Sequence, residues 1–83
     1  MEDAIALAEL RERRGTTQVE LAARLGKNQG NVSRLERRDD LYLSTLREYL
    51  AALGGELELV ARFPDGVEVR IEPKKRPTTF VAR

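Results

Sequence analysis

Thr17-Gln18-Val19-Glu20-Leu21-Ala22-Ala23-Arg24-Leu25-Gly26-Lys27-Asn28-Gln29-Gly30-Asn31-Val32-Ser33-Arg34-Leu35-Glu36 is the stretch whose reading decides the fold. Thr17 with Glu20 three residues on is a capping-box signal for a helix start. Leu21, Ala22 and Leu25 then supply a short buried stripe, and Gly26 ends it. Asn28 caps a following helix in which Val32 and Leu35 face inward, leaving Gln29, Asn31, Ser33 and Arg34 to other faces. Two short helices that cross steeply need a small residue at the contact and a glycine at the turn. Ala22 and Gly26 meet both needs.

Working outward, Leu7, Leu10, Arg11 and Arg14 fall at helical spacing, which predicts a first helix over 3–14 with Asp3 as cap and Gly15 closing it. On the other side, the charged connection Arg37-Arg38-Asp39-Asp40 leads to Ser44, expected to cap a fourth helix with Leu46, Tyr49, Leu50 and Leu53 on one face and Gly54-Gly55 as its stop. From Glu56 the period becomes two. Leu57, Leu59, Ala61 and Phe63 alternate with Glu56, Glu58, Val60 and Arg62, and Val67, Val69 and Ile71 alternate with Glu68, Arg70 and Glu72. Pro64-Asp65-Gly66 between them supplies turn chemistry, so a hairpin is expected. The fold class is mainly α: a four-helix, repressor-like helix-turn-helix domain over 1–55, a C-terminal β-hairpin over 56–72 and an irregular basic tail over 73–83.

The stretch 17–36 resembles the phage repressor and Cro family, also called the XRE family. The resemblance implies that Gln18 contacts a DNA phosphate and buttresses Gln29, while Gln29 reaches base edges in the major groove. It also implies a structural ion pair between Arg11 and Glu36. The residue chemistry points the same way: at a helix start facing the groove, Gln suits adenine and Arg suits guanine or phosphate. Candidate DNA-binding residues are Thr17, Gln18, Lys27, Asn28, Gln29, Asn31, Ser33, Arg34 and Arg37, with Lys27 and Arg37 placed on phosphates. The sequence departs from the family pattern at Gly30, where a larger base-contacting residue is usual, at Lys27, usually hydrophobic, and at Arg38, usually glycine. Gly30 is open to two readings, close approach of backbone to DNA or simple weakening of the helix by about 1 kcal/mol relative to alanine.

The stretch Arg37-Arg38-Asp39-Asp40-Leu41-Tyr42-Leu43-Ser44-Thr45-Leu46-Arg47-Glu48-Tyr49-Leu50-Ala51-Ala52-Leu53-Gly54-Gly55-Glu56-Leu57-Glu58-Leu59 is similar to antitoxins of the HigA type, which join such a domain to a C-terminal strand or hairpin. This likeness implies repression of the protein's own operon on a palindromic duplex and sequestration of a HigB/RelE-like RNA-cleaving toxin. A plain dimeric repressor would use the same elements and is the alternative.

Composition bounds these readings. Within the 83 residues the net charge of +1 conceals segregation: residues 11–38 carry eight bases against three acids, residues 39–72 three bases against eight acids, and the last eleven four bases and no acid. A basic block beside the capping signals fits a polyanion partner. A core this small gains from pairing with a second chain, so a homodimer is expected, with the hairpin as its element. No cysteine or histidine is present, the only serines are Ser33 and Ser44, and Asp39-Asp40 beside two arginines reads as a charge-paired connection. An enzyme, a cofactor and a metal are therefore not expected. Without a basic, apolar leader or a membrane span, the expected location is the bacterial cytoplasm, on the nucleoid.

Overall fold

A computed structural model describes residues 4–72. Six elements follow in chain order: α1 (Leu7–Arg13), α2 (Gln18–Leu25), α3 (Gln29–Glu36), α4 (Leu43–Ala52), β1 (Leu59–Arg62) and β2 (Glu68–Ile71). Four helices and an antiparallel two-stranded hairpin are the architecture the sequence predicts.

Local chemistry explains the well-placed boundaries. Thr17 Oγ1 accepts from the Glu20 backbone N–H at 3.0 Å while Glu20 Oε1 accepts from the Thr17 N–H at 2.9 Å, closing the box at the start of α2. Asn28 and Asn31 make the same reciprocal pair at the start of α3. Between them Gly26 sits at φ +69°, in the left-handed region where a Cβ would strain the chain.

Two helix starts differ from the sequence expectation. α1 begins at Leu7, not Asp3: its cap position is Ala6, which has no side-chain acceptor, and Ala4–Ala6 stay non-helical. Asp3 itself lies outside the described residues, as does the tail from Pro73. α4 begins at Leu43 with Tyr42 in the cap position, so Ser44 is already inside the helix and caps nothing. Here the chain enters helix from an extended Tyr42 without help from a side chain, and packing of the next turns must hold the start.

The core consists of Leu21, Ala22, Val32, Tyr49 and Leu53, with Leu7, Leu10, Leu25, Leu35, Leu50 and Ala52 packed around it. α2 is the central element, against α3 on one side and α4 on the other. Ala22 is 3% exposed at this junction, as the small-residue argument requires. Arg24 adds a tie by donating to the Ala52 carbonyl at 2.9 Å, which binds α2 to the last turn of α4.

The strands are shorter than the sequence alternation. Pairing runs only from Leu59↔Ile71 to Arg62↔Glu68. In the turn, Gly66 donates to the Phe63 carbonyl and Phe63 to the Val67 carbonyl, while Asp65 Oδ1 accepts from the Val67 N–H; Gly66 at φ +92° completes this three-residue loop. The register puts Leu59, Ala61, Val69 and Ile71 on one face, and Val60, Arg62, Glu68 and Arg70 on the other. Arg62 and Glu68 form an ion pair at 2.7 Å on the second face. On the first, Val69 and Ile71 remain 47% and 45% exposed, because the strands pack mainly on each other. Among the described residues no helix is long and apolar enough to cross a membrane.

Candidate nucleic-acid interface

α2 and α3 bring Gln18 and Gln29 together at their first helical positions. Gln29 Nε2 donates to Gln18 Oε1 at 2.5 Å, and Gln18 Nε2 donates to Glu36 Oε1 at 2.9 Å. Glu36, at the end of α3, is the acceptor of a four-donor cluster. Arg11 reaches it through Nε at 2.7 Å and Nη2 at 3.2 Å, and the Tyr49 hydroxyl donates to Oε2 at 2.5 Å. The third arm of Arg11, Nη1, donates to the Thr16 carbonyl at 2.9 Å. Arg11 and Glu36 side chains are 8% and 3% exposed, so the pair is a buried one.

Electrostatics follow from this packing. Burial pushes the Glu36 carboxyl upward, but hydrogen bonds from Arg11, Tyr49 and Gln18 and the Arg11 charge outweigh it and hold the group below the usual carboxylate range. The hydrogen bond to Glu36 raises Arg11 above the ordinary guanidinium value. Tyr49 is pushed well up, by burial first and then by its bond to the carboxylate. At the surface, backbone and side-chain bonds with Thr17 lower Glu20.

The remaining candidates fall into two groups. Thr17, Asn28 and Asn31 are committed to the capping boxes. Ser33 Oγ accepts from Arg37 Nη1 at 2.6 Å, which ties these two together at the far end of α3 and uses one of the five N–H donors of the guanidinium. Lys27 and Arg34 are exposed, and neither side chain has a polar partner among the described residues. Both line a concavity of about 400 Å³ between α3 and the start of α4, together with Asn31, Arg38, Tyr42 and Thr45. Gly30 is neither in the left-handed region nor tightly packed: a Cβ there would meet Asn28 Oδ1 at 3.4 Å and Arg34 Nη1 at 3.7 Å.

Tyr49 is the member of the network that reading along the chain assigns only to the core. The available signal is that a buried tyrosine needs a partner for its hydroxyl. The role of the Thr16 carbonyl has no signal in the sequence at all.

The general model of helix-turn-helix domains matches residues 7–60. The chain belongs to the helix-turn-helix family. Two Mycobacterium tuberculosis proteins named as antitoxins HigA2 and HigA3 are 42% identical over 64 residues and 45% identical over 69, covering 75% and 76% of this chain. In each case the match spans 63% of the relative's own length. Among solved structures, a DNA-bound HigA3 antitoxin superposes with a TM-score of 0.74 at 40% identity, over 86% of this chain and 94% of that one. A second, described as "Induced DNA bending by unique dimerization of HigA antitoxin", gives 0.74 and 40% over 86% and 96%. α2 and α3, which pack on each other and open with Gln18 and Gln29, both lie within the matched residues.

Proposed function

We propose that this chain is a DNA-binding antitoxin that represses its own toxin–antitoxin operon and neutralises a HigB/RelE-like RNA-cleaving toxin. The observation that carries the DNA-binding part is the Gln18–Gln29 amide pair at the starts of α2 and α3, anchored on buried Glu36, together with the exposed cations Lys27 and Arg34, which have no polar partner among the described residues and line one concavity beside α3. A helix start that presents fixed amides, on a helix that also carries exposed positive charge, is suited to base edges and neighbouring phosphates of duplex DNA. The antitoxin part is supported by the likeness to HigA proteins along both the helical domain and the hairpin.

The chain acts as a homodimer on a palindromic operator, since one recognition helix reads too few bases for useful specificity. Its interface is the apolar hairpin face of Leu59, Ala61, Val69 and Ile71, covered by a second copy. An isolated hairpin is marginal in water, and this one leaves that face half open. Site roles are direct readout for Gln29 and Arg34, support for Gln18, and phosphate contact for Lys27 and Arg37. The cytoplasm, on the nucleoid, is where such a protein works.

The test is co-expression with the neighbouring open reading frame and purification through a tag on this chain. Co-purification of a small basic protein whose RNA cleavage is blocked in the complex is expected. A chain that binds its own promoter fragment but never retains such a protein would instead be a stand-alone repressor.

A further inference from the structure

We propose that Glu36 and Tyr49 are positioning residues for base readout: the buried carboxylate, held by the Tyr49 hydroxyl, fixes through Gln18 which way the Gln29 amide points. This inference rests on the DNA-binding reading above.

The polarity follows from donor and acceptor inventory. An ionised carboxylate accepts only, so the end of Gln18 that faces Glu36 must be Nε2. Gln18 Oε1 is thereby turned toward Gln29, and only Gln29 Nε2 can meet it. One N–H of Gln29 is consumed, leaving its other N–H and both lone pairs of Oε1 for a ligand in a fixed order. Glutamine reads adenine through one donor and one acceptor at defined positions, so reversing the amide exchanges what each position offers.

Tyr49 secures the other end of this relay. Glu36 Oε2 receives Arg11 Nε and the Tyr49 hydroxyl, while Oε1 receives Arg11 Nη2 and Gln18 Nε2, so each oxygen takes two donors and the carboxylate cannot rotate without breaking bonds. The Tyr49 hydroxyl also lies 3.1 Å from the Leu7 carbonyl, but its single proton goes to the nearer, charged acceptor. α4 thus reaches the Gln18–Gln29 pair through Glu36.

The experiment uses the full chain. Its probe is the tightest duplex that the parent protein selects from a randomised pool, with each base pair then replaced in turn, and affinities are read by fluorescence anisotropy at several salt concentrations. The positions read by Gln29 are those whose preference Gln29→Ala abolishes. There, Tyr49→Phe, which keeps the ring and loses one hydrogen bond, lowers the preference about threefold, and Glu36→Gln lowers it about tenfold. The salt dependence stays at the parent value, which a general loss of structure would not leave intact. If both variants keep the parent's preference at those positions, the proposal falls; should Glu36→Gln not fold, Tyr49→Phe decides alone. Independently of DNA, hydrogen exchange by NMR should show one Gln29 side-chain amide proton protected in the parent and not in Tyr49→Phe. A parent whose Gln29 amide exchanges as fast as a free glutamine overturns the relay while leaving DNA binding standing. A protected amide in a parent that selects no duplex overturns the DNA reading, and this proposal with it.

Discussion

Glu36 shows how one carboxylate can serve stability and presentation together. Its four donors offset the cost of burial, and its folded pKa is depressed. A depressed carboxylate contributes stability that is present above its unfolded pKa of about 4.3 and is lost as pH falls through the folded value. Tyr49 has the opposite sign: its raised pKa gives stability present below about 10 and lost at higher pH, because the unfolded chain ionises first. Urea midpoints should therefore fall at both extremes, with Glu36→Gln flattening the acid limb and Tyr49→Phe the alkaline one. On the DNA side, Gln29→Ala and Arg34→Ala should weaken binding to a selected duplex by about 1–3 kcal/mol and barely change binding to random duplex. Lys27→Ala should weaken both and reduce the salt slope by about 1. Equal losses on both duplexes for Gln29→Ala would remove it from the reading face.

Among the elements, two glycines separate backbone need from surface need. Gly26 occupies φ +69°, and Gly26→Ala should destabilise the domain by about 1–2 kcal/mol in thermal or urea unfolding. Gly30 has an ordinary helical position with room for a methyl group. Gly30→Ala should leave stability unchanged or raise it by up to about 1 kcal/mol while lowering duplex affinity, which would assign the glycine to close approach of DNA. Undiminished affinity would leave Gly30 as a helix weakness. The starts of α2 and α3 were legible because the Thr17–Glu20 box and the Asn28 cap act on residues three apart, while the return bond from Asn31 was seen only in the structure. The starts of α1 and α4 were not, because neither has a side-chain cap and the first turn is set by contacts with distant residues.

At the scale of the whole molecule, the helical part closes a core of its own and the hairpin does not. Its apolar face is set by register and then left for something else to cover. A chain ending at Gly55 should therefore sediment as a monomer at micromolar concentration, where the full chain sediments as a dimer. A truncated chain that stays dimeric would move the interface to the helices.

The sequence by itself determined the class of fold, the two crossing helices, the turn glycine and the polar residues at the head of α3. Each of these rests on period or on bonds between near neighbours, which any stretch of chain carries with it. Beyond the Arg11–Glu36 pair that the family resemblance implies, tertiary structure alone decided that Tyr49 from α4 and Gln18 from α2 also converge on Glu36. It also decided that the hairpin face stays open. The physical reason is that burial and donor–acceptor saturation depend on which segments meet in space, and spacing along the chain does not encode that meeting.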